Sequence, residues 1–282
     1  MEIVSLFNRF IPARFRKSVP LVNHVVLSGA IGMGGPMRPA LTLKSLNPLL
    51  ERAFKPTGLA AVALSINSPG GSPVQSALIH ARIRDLAAEK KVPVLVFCED
   101  VAASGGYWLA CAGDEIFADE SSVIGSIGVI SAGFGFVDAI ARLGVERRVH
   151  TSGESKSMLD PFQPERPEDV AHLKGLQADV HQAFKTLVRK RRGTRLTGTD
   201  EELFSGAFWS GRQALARGLV DGIGHLHPVL KSRFGDKLVI RNINQPQGWG
   251  LKRLGFGAQA PDIAGAAIDA LETRALWSRF GL

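Results

Sequence analysis

Apolar residues fall along this chain in blocks of two kinds, short continuous runs and helically spaced ones. Val22 to Ile31 reads as a strand, and Leu59 to Ile66 and Val92 to Phe97 are near-unbroken apolar runs of strand length. Such runs mark strands covered on both faces, as in a parallel sheet. Between them, Ala40 to Phe54 places Leu41, Leu43, Leu46, Leu49, Leu50 and Phe54 at helical spacing, and a second helix is expected from Pro73 to about Lys90. Shorter strands are expected at Asp114 to Ala118, Ser126 to Ile130 and Glu146 to His150, with helices at Tyr107 to Ala112 and Phe136 to Leu143. A long helix should run from Pro167, with Glu168 and Asp169 in its first turn, to about Arg192. Ser210-Gly-Arg-Gln213 has the form of a capping box for a short helix ending at Gly218. Strands alternating with helices predict an α/β fold with a mostly parallel sheet.

The 282 residues suffice for a sizeable core, and 45% hydrophobic with 21% charged residues is ordinary for a folded domain. The net charge of +8 gathers largely at Arg9, Arg14, Arg16 and Lys17 and at Arg189 to Arg192. These blocks are short and carry no aromatic interleaving, which argues against a nucleic-acid partner. Cys98 and Cys111 form no CxxC pair and read as buried thiols, so a reducing compartment is tolerated. No apolar run reaches the roughly 20 residues that cross a bilayer. Residues 1–20 read as a basic amphipathic segment, 21–243 as the main domain, 244–261 as a Gly/Pro/Gln-rich linker and 262–282 as an amphipathic helix. The two end segments suit docking to a partner or a membrane surface.

Two turns carry the candidate chemistry, each at the carboxyl end of a buried strand, where open parallel sheets form their sites. One is Ser68-Pro-Gly-Gly71 and the other Ala103-Ser-Gly-Gly106. A serine between strand and helix, as Ser104 is, presents an exposed hydroxyl beside free backbone N–H groups, the layout of a nucleophile with part of an oxyanion hole. Gly71 and Gly105 would supply the two donors. A nucleophilic serine also needs a base. None of the seven histidines sits in a setting that suggests a triad, and the His225/His227 pair is weak evidence for metal. Lys156 lies in the polar stretch Thr151 to Phe162. A lysine serves as a base only when neutral, so an ordinary value of about 10.4 must fall to about 7, which takes roughly 4 kcal/mol from desolvation or cationic surroundings. Taken alone, a lysine in a loop is usually a solvated charge.

Four motifs in order, Asn67-Ser-Pro-Gly-Gly, Ala103-Ser-Gly-Gly-Tyr, Gly125-Ser-Ile-Gly-Val and Lys156 followed by Asp160-Pro-Phe, resemble the signal peptide peptidase A family. The resemblance runs from about Val22 to Leu226, and the 52 positions between Ser104 and Lys156 match its short, single-domain branch. It implies a Clp-protease/crotonase-like fold of repeated ββα and βαβ units, and a serine peptidase working through a Ser–Lys dyad without cofactor or metal. Ser104 would be the nucleophile, Lys156 the general base, Gly71 and Gly105 the oxyanion donors, and Ser126 the residue that orients the lysine. It further implies a homo-oligomer in which neighbouring subunits complete each site.

Typical members carry an N-terminal membrane anchor, and none is legible here. The expectation is therefore a cytoplasmic endopeptidase, peripheral at the inner membrane at most, that acts on unfolded or hydrophobic peptides. Two other readings stay open: a crotonase-like acyl-CoA hydratase or hydrolase, and a catalytically silent membrane-associated scaffold. The first would need catalytic carboxylates by the oxyanion site, and the second would tolerate loss of Ser104 and Lys156.

Overall fold

A computed structural model describes residues 19–32, 40–244 and 274–281. Its centre is β2 (Leu59–Ser68), flanked in parallel by β1 (Leu21–Ser28) and β3 (Val94–Ala103). Six strands follow the order β6-β5-β3-β2-β1-β8, where β5 is Val123–Gly125, β6 Phe208–Ser210 and β8 Val239–Asn242. Two more, β4 (Glu115–Ala118) and β7 (Gly222–Ile223), branch from β3. Every pairing is parallel except β5 with β6.

The continuous apolar runs have their expected cause. One face of the sheet, with Val25, Leu27, Val62, Leu64, Ile66, Val94 and Val96, packs on α1 (Leu43–Phe54), α2 (Pro73–Lys90) and α3 (Gly105–Ala110). The other face, with Val22, Ala61, Ala63, Leu95 and Phe97, meets Leu230 of α8 (Leu226–Phe234). Between these lie α4 (Val137–Arg142), α5 (Pro167–Arg192), α6 (Asp200–Leu203) and α7 (Gly211–Ala216). Thr42 and Ser45 close a capping box on α1, and the expected Ser210/Gln213 box opens α7.

Three expectations need correction. β3 does not stop at Phe97 but continues to Ala103, because it changes partners: residues 95–98 pair with β4 and residues 101–103 with β5. The strand expected at Ser126 to Ile130 is instead Val123–Gly125, since Ser126 adopts φ 52° and leaves extended geometry. Residues 146–150 form no strand: they are charged, mostly exposed and have no ladder partner among the described residues. The segments 1–18 and 245–273 lie outside the described residues, as do most of the terminal docking elements placed there.

The basic end of α5 also does more than complement the helix dipole. Arg191 donates to the Cys111 carbonyl (2.8 Å) and the Gly113 carbonyl (2.7 Å), which fastens α5 to the end of α3. Arg192 is buried, donates to the Gly218 carbonyl (2.8 Å) and forks onto both carboxylate oxygens of Asp221 (2.8 and 2.9 Å). Asp221 also accepts the Ile116 N–H (2.8 Å). Burial works against its ionisation, but hydrogen bonds from Arg192 and Ile116 and the charges of Arg192 and Arg195 hold its carboxyl below the usual range. Tyr107 closes the same region by donating to the Leu219 carbonyl (2.7 Å).

Asp221→Ala leaves Arg192 ionised and unpaired in the interior, and should cost about 3–5 kcal/mol in a denaturant titration, against less than about 1 for Glu51→Ala at an exposed pair. His80 predicts a second effect. Burial, aided by the charges of Arg191 and Arg84, pushes its imidazole down to about 4. Between about pH 4 and 6.5 the unfolded chain then binds a proton that the native chain does not, so stability falls as pH drops, by up to about 3 kcal/mol across the window. His80→Gln should flatten the melting temperature against pH over that range.

Candidate active site

The catalytic candidates gather where β2 and β3 end side by side. A register shift between Ile66 and Ser68 brings Ser68 opposite Ala102, and both chains turn immediately afterwards. Asn67 fills the irregularity. Its side chain accepts the Val101 N–H (3.2 Å) and donates to Asp100 (2.7 Å), while its carbonyl accepts the Gly29 N–H (2.9 Å).

Ser104 caps α3 with φ 52° and ψ −123°, a conformation a non-glycine residue holds only when its surroundings enforce it. Both its backbone groups are engaged: its N–H donates to the Gly125 carbonyl (2.8 Å), and its carbonyl accepts the Trp108 N–H (3.0 Å). Its hydroxyl makes no capping bond and has no hydrogen-bond partner among the described residues. The backbone is thus clamped while the hydroxyl oxygen stays free.

Gly70 and Gly71 supply the opposing wall. The Gly70 N–H donates to Ser68 Oγ (3.2 Å) and its carbonyl accepts the Ile31 N–H (2.8 Å). Ile31 in turn accepts from Ser72 (2.8 Å), making an isolated parallel bridge with Gly71. In such a bridge the Gly71 N–H points away from Ile31, and it donates to nothing among the described residues. The Gly105 N–H, at the first position of a helix, is likewise free. A side chain at Gly70 would lie 2.7 Å from Ser104 Cβ and 2.9 Å from the Gly105 nitrogen, and one at Gly105 would lie 2.5 Å from Ser76 Oγ. The two turns therefore touch backbone to backbone.

Ser126 is buried and follows the residue whose carbonyl anchors Ser104; its N–H donates to the Ala207 carbonyl (2.7 Å). The described chain thus brings Ser104, Gly105, Gly71 and Ser126 into one neighbourhood. Lys156 stands apart from them in its bonding. It is exposed in a turn, and its side chain makes no hydrogen bond or ion pair among the described residues. Other nucleophiles and bases drop out. Burial pushes both the Cys98 and Cys111 thiols far up, so neither forms a thiolate readily. His24 bonds Ser65 and Asn242, His181 bonds the Ile127 carbonyl and His225 faces Asp119, and none reaches Ser104. No group of three metal-ligating residues occurs among the described residues.

Ile31 escaped sequence reasoning as part of this site, and Asn67 and Gly125 entered it only as the first residues of two motifs, with no role attached. Asn67 had a signal, a polar residue breaking an apolar strand just before its turn. Ile31 and Gly125 act through backbone atoms, which no residue pattern reveals.

The family model for peptidase family S49 matches residues 87–236, more than half of the chain and inclusive of Ser104, Ser126 and Lys156. The chain belongs to peptidase family S49. A putative signal peptide peptidase SppA of Enterococcus faecium is 32% identical over 213 residues, which cover 73% of this chain and 61% of that protein. A protein of Brucella melitensis named Na(+)/H(+) antiporter NhaA is 49% identical over 288 residues, 98% of this chain but 39% of the relative, so the chain spans about two fifths of that protein. Among solved structures, a point mutant of the 1510-N membrane-bound stomatin-specific protease aligns over 81% of this chain and 99% of its own, with TM-score 0.51 and 14% identity, a likeness that bears on fold alone. The S49 chain accordingly has the expected Clp-protease/crotonase-like fold and carries a serine-type peptidase domain.

If Ser104 and the Gly105 N–H serve as nucleophile and oxyanion donor, Gly70→Ala should lower kcat/KM on a peptide substrate by about 100-fold or more, because the added methyl displaces both. Gly58→Ala also falls at positive φ but meets nothing within 4 Å, and should cost about 1 kcal/mol of stability while leaving kcat/KM unchanged.

Proposed function

We propose that this chain is a serine endopeptidase whose Ser104 attacks the scissile carbonyl and whose Lys156, delivered by a neighbouring copy, acts as the base. The observation that carries this reading is the Ser104 turn, with its strained backbone anchored at both ends, its hydroxyl unengaged and two free N–H groups beside it. Ser104 Oγ adds to the peptide carbonyl as its proton passes to the neutral lysine amine. The resulting oxyanion is held by the Gly71 and Gly105 N–H groups. Collapse expels the amine product, which takes that proton from the lysine, and leaves an acyl ester on Ser104. Water, deprotonated by the same amine, then hydrolyses the ester. Ser126 would hold the lysine amine by a hydrogen bond.

The neighbouring copy is argued from the segment that carries Lys156. Residues 129–166 are mostly exposed, and they present Ile130 (63%), Phe134 (82%) and Leu143 (77%) to solvent. An apolar face of that kind marks an interaction surface. Burial against a second copy would also supply the desolvation a lysine base requires. Unfolded or hydrophobic peptides fit as substrates because an extended backbone can lie along the paired turns.

The Brucella relative supports work beside a membrane. No helix among the described residues is long and apolar enough to cross a bilayer, so ion transport would reside in the part of that relative which this chain does not match. A peptidase joined to an antiporter in one relative favours a membrane protein, or fragments of one, as the substrate source here.

Labelling with a fluorophosphonate, with intact-mass detection, tests the site. Wild type should gain one adduct per chain, Ser104→Ala none, and Lys156→Ala should react at least about 100-fold more slowly. Mixing Ser104→Ala with Lys156→Ala should restore part of the labelling if sites are shared between copies. A fully active monomer, or an adduct that survives Ser104→Ala, would sink the reading, the latter in favour of acyl-CoA chemistry or a silent scaffold.

A further inference from the structure

A cleft of about 640 Å³ opens on the sheet face that carries α8, away from the catalytic turns: neither Ser104 nor Gly71, Gly105, Ser126 or Lys156 lines it. Its size lies in the range of ligand pockets. The floor is Phe97, stacked on Phe117 at 5.4 Å, beside Ser65, whose hydroxyl is held by His24 at 3.0 Å. Glu99, Asp100 and Asp119 bring three carboxylates to the lining beside the imidazoles of His225 and His227. Asp119 faces His225 (3.4 Å) and Asp100 accepts from Asn67 (2.7 Å), which leaves Glu99 without a partner among the described residues. No lysine or arginine lines the cleft among them. An aromatic floor beneath an acidic rim selects for a ligand that is both aromatic and cationic.

One wall of the cleft comes from elsewhere in the sequence: Phe280 is among its lining residues and belongs to Arg274–Gly281, far along the chain from the rest of the wall. That segment carries Arg274 and Arg279 and no acidic residue, and it half-covers Leu276, Trp277 and Phe280 against the domain. Phe280 meets Phe208 edge-on at 5.2 Å, with the Arg279 guanidinium 5.8 Å from its own ring. Phe208 lies on β6 opposite Gly125 of β5, the residue whose carbonyl anchors Ser104.

We propose that this cleft is a second peptide-binding site, specific for an aromatic side chain next to arginine, and that the chain's own Arg279-Phe280 occupies it in cis. An incoming segment of the same chemistry competes with Phe280 for the floor. Through Phe208 and the β5–β6 pairing, the occupant bears on the strand that holds the nucleophile.

The test uses the full chain carrying Ser104→Ala, so that the probe is not cleaved, and a fluorescein-labelled peptide with the sequence of residues 274–282 followed by anisotropy. The chain with Phe280→Ala added should bind this peptide at least about ten-fold more tightly than the chain that keeps Phe280, because the internal competitor is gone. Adding Glu99→Lys should weaken that binding about ten-fold, and a peptide with alanine at the Phe280 position should not compete. Equal binding with and without Phe280, competition by the alanine peptide, absence of binding, or binding indifferent to Glu99→Lys would each overturn the proposal. The last result would place the peptide in the catalytic groove instead. Since the readout is binding alone, failure here leaves the peptidase reading untouched, and failure of active-site labelling leaves this site untouched.

Discussion

The close approach of two bare backbone turns governs this structure. Where β2 and β3 end together, Gly70 presses against Ser104 and Gly105 while Gly71 presses against the Ile31 backbone, and no side chain fills either gap. That contact requires parallel neighbouring strands, a register shift at Ser68, and glycine at every point of closest approach. The sheet, with helices packed on both faces, is the rigid frame that makes so tight a contact reproducible. Ile31, itself buried, pins the outer turn from the β1 side, and Gly125 pins the inner one from β5. Four strands thus converge on one serine hydroxyl, which is how a strained residue keeps its geometry without covalent restraint.

Much of this was legible in the residues. β2 announced itself by an apolar run with no alternation, and α5 by a proline at its first position and acids in its first turn. The catalytic turns were legible because serine and glycine clusters at strand ends are chemically specific. Other features were hidden, for identifiable physical reasons. β3 reads as ending at Phe97 because Glu99 and Asp100 break its hydrophobicity, yet its backbone stays paired by exchanging β4 for β5. Residues 146–150 hold a single β-favouring residue, Val149, among charged ones, and no neighbouring strand offers them a hydrogen-bonding partner among the described residues. The four basic residues at the end of α5 gave no hint that one of them is buried. That depends on Asp221, 29 positions later, and pairing at such range leaves no local pattern.

The single chain is chemically asymmetric. One half of the expected machinery is rigid and assembled: the nucleophile, its anchors and the oxyanion donors. The other half, Lys156, rides on an exposed segment whose apolar side chains have few partners among the described residues. In the proposed mechanism, this division of labour separates the storage of strain from the supply of a base.

The Arg192–Asp221 pair imposes an order of events on the newly made chain. Until residue 221 has been synthesised and β7 has come alongside β4, Arg192 is a charge with no counter-ion, and drawing it into the interior is strongly unfavourable. The end of α5 therefore cannot dock early, although β1, β2, β3 and the Ser104 turn are all complete long before. The Ser104 turn can be built first, and the end of α5 is fastened last.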